Sequence, residues 1–311
     1  MNKNQYFLKK FGLKYTIITL IDSVLNKKIK LQNKKIHQTR TKMVKIYLKK
    51  EYSKVIEKWK NIESSNIKIS EKSPIFVLWW QGLEVAPELV LICINSIKRN
   101  AGNHPVIILS KENISEWIDI PLEIQKKTEA GKIGLANFSD YIRSSLLYQY
   151  GGIWLDSTTY LNGSIDKYIS ELSFWSVHHE KFKNWHICDG KWSVSYLASA
   201  KNDPVMGFMS EMLLHYYTIE EYLMYYLLMD CILSLGYENI PAIKKEIENI
   251  PINNEYVFDL LTKINKPFNE KLFIDSSKNT INKLTYKKEL IKKIDGKITN
   301  YGYIAGEISN D

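Results

Sequence analysis

The chain has 311 residues, of which 45% are hydrophobic and 25% charged, the composition of a globular protein with one large domain, with or without an appendage. Its three cysteines are isolated in sequence, which argues against a disulfide framework or a cysteine zinc site and favours a reducing cytoplasm. No run approaches the roughly 18 apolar residues of a membrane span, and lysines interrupt the apolar residues near Met1, so we expect neither a transmembrane helix nor a signal peptide.

The positive charge is concentrated in the first 60 residues. This part holds 17 Lys/Arg against 3 Asp/Glu, a net charge of +14, whereas the chain as a whole carries +9 and the other 251 residues therefore carry −5. Such a cluster predicts an anionic partner, either nucleic acid or the negative cytoplasmic leaflet of a membrane. Because no nucleic-acid-binding motif accompanies it, we expect no nucleic acid as a partner and favour the membrane surface.

Residues 1–70 are predicted to form a basic helical N-terminal segment. Between Tyr6 and Ile29 apolar residues recur every three to four positions, which is typical of an amphipathic helix, and a second lysine-rich helix is predicted over about 34–60. A helix with apolar groups on one face and lysines elsewhere can lie in a membrane interface. The alternative is a helical hairpin that packs on the rest of the protein and leaves a solvated basic face.

From Pro74 onward, short apolar runs alternate with helical patterns. Strands are predicted at 74–80 and 105–109, and helices at 87–100, 111–117 and 121–130. This βαβ pattern predicts an α/β fold for residues 71–311, with a mostly parallel sheet covered by helices on both faces. Ligands of such a sheet bind beyond the carboxyl ends of its strands.

A helix that carries an acid and a base is predicted next. Ser139 is a candidate N-cap, which places Asp140 at the first helical position and Arg143 three residues later on the same side. Taken alone, such a pair is more often a surface ion pair. Its place before a Gly-Gly turn and a short strand predicts instead that both side chains face a ligand.

The end of this helix leads directly to a further acid. Gly151 and Gly152 are predicted to end the helix, where a left-handed backbone is needed. Residues 153–155 are predicted as a short buried strand with Asp156 at its carboxyl end, where an α/β sheet presents catalytic groups. The hydroxyl groups of Ser157, Thr158 and Thr159 follow.

These side chains suit a nucleotide diphosphate. A hard cation that bridges a diphosphate takes carboxylate oxygens, of which Asp156 can supply one. The cation would stabilise the charge of a leaving diphosphate. Arg143 could bind phosphate or sugar, and Asp140 could accept hydrogen bonds from ribose or sugar hydroxyls.

Two motifs, SDxxR at 139–143 and GGxWxDxT at 151–158, resemble those of the bacterial capsular polysaccharide synthesis glycosyltransferases, which are related to sugar transferases with a DxD motif. The resemblance covers about residues 74–290 and includes the Trp-Trp-Gln turn at 79–81 and a Lys-Leu-Thr-Tyr-Lys element at 283–287. It implies a GT-A-like, Rossmann-type fold, a UDP- or GDP-sugar donor and retention of anomeric configuration. The implied acceptor is a growing capsular polysaccharide or lipid-linked oligosaccharide at the inner face of the cell membrane.

By this resemblance, Asp140, Arg143 and Asp156 are the catalytic residues, and Asp156 binds Mn²⁺ or Mg²⁺. The substrate-binding residues predicted with them are Trp79, Trp80, Gln81, Ser139, Gly151, Gly152, Ser157 and Thr158. The sequence departs from the pattern at Thr158, which stands where the DxD motif has its second Asp and removes a carboxylate from the metal site. Candidates for a further ligand, by residue type alone, are His178, His179, Glu180, His186 and Asp189.

Other side chains could serve the acceptor. Trp175, Trp185 and Trp192 could line an acceptor groove or belong to the core, and Glu220 or Glu221 could face the acceptor. Two other functions are compatible with the sequence. One is a sugar-phosphate transferase, and the other is a catalytically silent protein that binds sugar nucleotides during assembly, which the missing second Asp favours.

Overall fold

The computed structural model describes residues 1–25, 33–181, 186–274 and 279–306. Its helices are α1 Lys3–Val24, α2 Lys34–Glu51, α3 Ser53–Trp59, α4 Glu88–Arg99, α5 Leu122–Glu129, α6 Leu135–Tyr150, α7 Asp166–Ile169, α8 Pro204–Ile219, α9 Leu228–Asn239, α10 Pro241–Glu248, α11 Asp259–Lys263, α12 Lys271–Ile274 and α13 Asn300–Gly306. Its strands are β1 Ile75–Leu78, β2 Val106–Leu109, β3 Gly152–Leu155, β4 Thr159–Leu161, β5 Phe174–Ser176, β6 Tyr196–Ser199, β7 Ile281–Lys283, β8 Lys293–Ile294 and β9 Lys297–Ile298.

A five-stranded sheet forms the centre of the fold, in the order β2-β1-β3-β6-β5. β1 pairs in parallel with β2 and β3, so that Ile75 lies opposite Val106 on one side and Ile153 on the other. β6 pairs antiparallel with both β3 and β5. Because β1 and β3 are buried along nearly their whole length, they are continuous apolar runs rather than alternating ones. The predicted mixed α/β class with a mostly parallel central sheet is therefore confirmed.

Helices pack against this sheet, and a small second sheet begins directly after β3. α6 packs along α8 and contacts β3 and β6, and α8 in turn packs on α9. The second sheet pairs β4 with β7 antiparallel, with Thr159 opposite Lys283. This pairing brings the segment that follows β7 close to the residues that follow β3.

The N-terminal helices pack on the rest of the protein. α1, which is kinked at Gly12 (φ 80°), packs on α2, while α2 contacts α9 and α3 contacts α8. Tyr6, Phe7 and Tyr15 of α1 are buried in the same hydrophobic core as the central sheet. One face of α1 thus packs on the rest of the protein, while the role of the N-terminal segment and the division into two parts near residue 70 stay predictions. In the described part of the chain, no helix has the length and apolar character needed to cross a membrane.

A buried carboxylate anchors these helices. Glu220, which follows α8, accepts hydrogen bonds from the hydroxyl groups of Tyr6 (2.5 Å), Tyr47 (2.5 Å) and Tyr52 (3.0 Å). The ammonium of Lys10 lies 3.4 Å from it. Since a buried charge is stable only with such partners, this tyrosine cluster fixes α1 and α2 on the end of α8.

One predicted helix, at 111–117, is only a short 3-10 turn at 114–116. The side chain of Asn113 explains the difference, because it donates to the carbonyl oxygen of Ile108 (2.9 Å) and accepts from the backbone N–H of Ser110 (2.8 Å). Local hydrogen bonds of this kind compete with those of a helix.

Two other boundaries also differ from prediction. The second N-terminal helix is divided into α2 and α3 at Tyr52, whose φ of −111° is not helical. α6 begins at Leu135 with Gly134 as its N-cap, five residues earlier than predicted. The assignment of Ser139 as N-cap is therefore wrong, and its hydroxyl instead donates to the carbonyl oxygen of Ala136 at 2.7 Å.

Candidate active site

A cleft with a volume of about 450 Å³ opens at the carboxyl ends of β1 and β3. Because these strands are parallel neighbours, the residues after them meet at the same edge of the sheet. The cleft is lined by Trp79, Trp80 and Gln81 after β1, Ser139, Asp140 and Arg143 of α6, and Asp156, Ser157 and Thr158 after β3. Tyr226, Asp230 and residues 283–287 complete the lining. Nearly all the predicted site residues thus share one cleft.

Gly151 and Gly152 are the exceptions, because they lie at the opposite end of β3 from Asp156. Both have positive φ, 69° and 116°, and a Cβ atom on Gly152 would lie 2.6 Å from the carbonyl oxygen of Pro74. They end α6 as predicted and allow close backbone contact. Because neither glycine lines the cleft, the prediction that they bind substrate is corrected.

The carboxylate of Asp156 is held by three donors. Lys283 Nζ lies 2.8 Å from Oδ2, and Trp154 Nε1 donates to Oδ1 at 3.1 Å. Arg143 Nη2 lies 3.4 Å from Oδ1. Burial alone would raise the pKa of Asp156, but Lys283 and Arg143 outweigh burial and hold this pKa well below its usual range. Asp156 is therefore an anion at neutral pH, balanced by two cations.

Arg143 lies between the two acids of the motif. Its Nη2 is 3.4 Å from Asp140 Oδ1 and donates to the hydroxyl of Ser139 at 2.9 Å, while its Nη1 donates to the carbonyl oxygen of Val194. The guanidinium also stands 5.0 Å from the ring centroid of Trp154. The predicted Asp140–Arg143 pairing is confirmed, and the buried guanidinium is rigidly held.

The pKa of Asp140, the second carboxyl group of the cleft, is raised and not lowered. Burial raises the pKa of Asp140 to about 7, with a lowering effect from Arg143 and further raising effects from Asp230 and Asp156. The amide of Asn137 lies 3.3 Å from Oδ2. Asp156 is thus permanently charged while Asp140 can exchange a proton near neutral pH, a separation of roles common in active sites.

Aromatic side chains form one wall. Trp79 contacts Tyr286 edge to face with ring centroids 5.6 Å apart, and Trp80 contacts Phe138 in the same way at 5.1 Å. Among the described residues, the buried Nε1 of Trp79 has no hydrogen-bond partner. This indole N–H is therefore a buried donor without a protein acceptor in that part of the chain.

The candidates for a further metal ligand lie outside this lining. His178 contacts the carbonyl oxygen of Ile250 and the carboxylate of Glu180, each at 3.0 Å. His179 Nδ1 accepts from a backbone N–H at 3.0 Å. His186 and Asp189 border a different groove, beside α2. None of the five is placed beside Asp156.

Of the tryptophans predicted to line an acceptor groove or to belong to the core, Trp175 and Trp192 belong to the core. Trp175 is fully buried and stacks on Tyr168 with ring centroids 6.2 Å apart. Trp192 is also buried, and its Nε1 donates to Asp230 Oδ1 at 3.0 Å, which fixes a carboxyl group of the cleft. Trp185 lies outside the described residues.

Tyr226, Asp230 and Lys283 are among the cleft residues to which sequence reasoning gave no role. An acid within the apolar stretch that forms α9 was a signal for Asp230, whereas Lys283 had none beyond its place in the element at 283–287. Glu220 and Glu221 do not line the cleft, because the first lies in the tyrosine cluster and the second pairs with a lysine of the α5–α6 loop.

The sequence matches the model of the family described as capsular polysaccharide synthesis protein over residues 25–302. The chain belongs to this family. The family predicted from the motifs at 139–143 and 151–158 is thus confirmed. A solved structure titled "PaToxG Glycosyltransferase" is similar at 16% identity with a TM-score of 0.40, over 68% of this chain and 83% of that chain. A search of curated proteins gives no match.

The divalent cation expected for this capsular polysaccharide synthesis protein stays a prediction, and the residues around Asp156 do not fit it. Both oxygens of the carboxylate already have donors, and a cation bound at Oδ2 would lie beside the ammonium of Lys283. Two unit charges about 4 Å apart repel by about 4 kcal/mol at an effective dielectric constant near 20, and a divalent ion doubles this. Among the described residues, no group of three His, Cys, Asp or Glu is arranged to hold a metal ion.

Proposed function

We propose that this capsular polysaccharide synthesis protein is a glycosyltransferase that moves a sugar from a UDP- or GDP-sugar to a growing capsular polysaccharide or lipid-linked glycan. The observation that carries the proposal is the convergence of Asp140, Arg143 and Asp156 with an aromatic wall in one cleft. Its volume of about 450 Å³ lies within the range of small-molecule sites, roughly 300 to 1,000 Å³.

Each side of the cleft suits one part of such a donor. The rings of Trp79 and Trp80 suit a nucleobase and its ribose. Arg143 suits the diphosphate, because a guanidinium forms charge-assisted hydrogen bonds with phosphate oxygens. Asp140 suits the sugar, whose hydroxyl groups it can bind as an acceptor when ionised and as a donor when protonated.

Release of nucleoside diphosphate from a panel of UDP- and GDP-sugars tests this function. Thermal shifts with each nucleotide identify the base first, since a ligand that binds only the folded protein raises its melting temperature. We then expect Asp156→Asn to lower turnover about 10²-fold or more while the protein stays folded. Asp119→Asn, at an exposed position, is the matched control.

Three results would change the assignment. Wild-type turnover in Asp156→Asn would remove this residue from the chemistry. A product that contains a phosphodiester would identify a sugar-phosphate transferase. Nucleotide binding without any turnover, with every acceptor tried, would favour a silent assembly protein.

We also propose that α1 places the enzyme on an anionic membrane surface. Beyond the kink at Gly12, five apolar side chains are 45% to 63% exposed, namely Leu13, Ile17, Leu20, Ile21 and Val24. At 3.6 residues per turn they fall within an arc of about 100°. Lys14 lies at the edge of this arc, and Tyr15 on the other side of the helix is buried in the core. A helix with one anchored face and one exposed apolar face beside lysines suits an interface of anionic lipid.

Sedimentation with vesicles tests the membrane proposal. We expect binding to phosphatidylcholine vesicles that contain phosphatidylglycerol, and weaker binding to phosphatidylcholine alone. The double variant Ile17→Ser/Leu20→Ser should bind at least about tenfold more weakly, since each buried apolar side chain contributes about 1.5 to 3 kcal/mol. Val85→Ser, at a residue 67% exposed elsewhere, is the control. Equal binding of the double variant and the wild type would show that α1 is not the docking surface.

A further inference from the structure

The position of Lys283 in the cleft is fixed by the fold. It is the last residue of β7, which pairs antiparallel with β4 so that Lys283 lies opposite Thr159. The backbone N–H of the next residue, Leu284, donates to the carbonyl oxygen of Thr158 at 3.0 Å. These bonds hold the lysine against the loop that carries Asp156, although the two residues are 127 positions apart in sequence.

The ammonium of Lys283 is both paired and reachable. Its Nζ lies 2.8 Å from Asp156 Oδ2, and the side chain is 26% exposed toward the cleft that it lines. On the other oxygen of the carboxylate stands Arg143, which is buried. An ammonium on a flexible four-carbon stem with three donors can contact a new anion without leaving this place.

A diphosphate is the anion that this arrangement suits. It carries at least two negative charges, and it gains one more when a sugar leaves it. The cleft offers the cations of Lys283 and Arg143 on the two sides of a single carboxylate, with Lys287 further along the lining. Thr158, at the position of the second acid of a DxD motif, brings a hydroxyl group and no charge.

We propose that Lys283, together with Arg143, supplies at this cleft the positive charge that a diphosphate needs, in the place of a divalent cation. The inference rests on the proposed function. Asp156 then acts as the residue that orients the ammonium of Lys283, and not as a metal ligand.

The charge is needed when the donor reacts. The bond between the anomeric carbon and the oxygen of the β-phosphate breaks, and its electron pair stays on that oxygen. A bond forms between the anomeric carbon and the acceptor oxygen, whose proton is released to the solvent. The nucleoside diphosphate leaves with one more negative charge than it had in the donor, and cations already in place stabilise this charge.

Calorimetric binding of UDP and GDP, measured in EDTA and in Mn²⁺, tests the proposal without turnover. We expect the wild type to bind one of them in EDTA, Lys283→Gln to bind it about tenfold more weakly or worse, and Lys283→Arg to recover part of the loss. Lys266→Gln, at an exposed lysine outside the cleft, should bind as the wild type does. Binding by the wild type only in the presence of Mn²⁺, or unchanged binding by a folded Lys283→Gln, would overturn the proposal.

Turnover separates this proposal from the function on which it rests. Equal release of nucleoside diphosphate in EDTA and in Mn²⁺, with a loss of about 10²-fold in Lys283→Gln, would support a lysine in the place of the metal. Turnover that EDTA abolishes and Mn²⁺ restores would refute it while leaving the glycosyltransferase intact. Metal-free binding that depends on Lys283, without turnover of any donor, would sink the proposed function and support the diphosphate site.

Discussion

The wild-type protein should lose stability as the pH rises, because buried Asp140 becomes charged. Asp140→Asn should remove this loss. Burial raises the pKa of Asp140 from 3.8 to about 7, so the folded protein holds this proton more tightly than the unfolded chain does. The stabilisation from this proton is complete below the pKa of Asp140 in the unfolded chain. It is lost as the pH rises through the pKa of Asp140 in the folded protein. Asparagine cannot ionise, so the variant should not show this loss.

The magnitude follows from the two pKa values. At 1.36 kcal/mol per pKa unit the whole loss is about 4 kcal/mol, of which about 2.5 kcal/mol falls between pH 5 and pH 8. An unfolding entropy of about 2.1 cal/mol/K per residue gives about 0.65 kcal/mol/K for 311 residues. The difference in melting temperature between Asp140→Asn and wild type should therefore grow by about 4 °C, in favour of the variant, from pH 5 to pH 8.

Urea denaturation at the two pH values measures the same difference in free energy, provided that the slope with denaturant is equal for both proteins. Asp119→Asn, at an exposed position, should show no change in the difference. An equal difference in unfolding free energy between Asp140→Asn and wild type at pH 5 and pH 8 would refute the reasoning. It would show that the carboxyl group of Asp140 does not titrate in this range.

Three further variants test the fold around the cleft. Glu220→Gln should lower the free energy of unfolding by about 2 to 3 kcal/mol in urea, because an amide cannot accept all the hydrogen bonds of the tyrosine cluster. Gly152→Ala should cost at least about 2 kcal/mol more than Gly131→Ala, since its Cβ would lie 2.6 Å from the Pro74 oxygen while that of the second glycine meets nothing within 4 Å. Deletion of residues 1–60 should abolish cooperative unfolding followed by tryptophan fluorescence, and a sharp, unshifted transition would contradict the role given to the N-terminal helices.

The segment from 137 to 159 could be predicted in detail because its geometry is local. An amphipathic helix, a glycine pair and a short apolar run follow one another, so the spacing alone sets Asp140 beside Arg143 and delivers Asp156 at a strand end. The N-cap at Ser139 was misplaced because Asn137 and Phe138, which precede it, are buried residues of the same helix. Their burial favours a helix that already includes the residues before Ser139.

The remaining wall of the cleft could not be predicted, because it depends on pairings between distant segments. Lys283 reaches Asp156 through the β4–β7 pair, and a three-residue strand leaves no periodicity to detect. Likewise, the regular spacing of apolar residues in α1 predicts that one face of the helix is buried. It does not identify the residues that this face contacts. Glu220 therefore looked like a free acid near an acceptor, whereas three tyrosines from 168 or more positions away surround it.

The N-terminal helices and the cleft are joined through the segment between α8 and α9. On one side of this segment, Met224 O accepts hydrogen bonds from Tyr15 and, at 3.1 Å, from Arg40. On the other side, the carbonyl oxygen of Tyr226 accepts from Asn137 at 2.8 Å, in the first turn of α6. Since Tyr226 lines the cleft, the helix that carries the exposed apolar face also positions one of its walls. Substitutions on that face should therefore separate membrane binding from activity, whereas removal of the whole helix disturbs both.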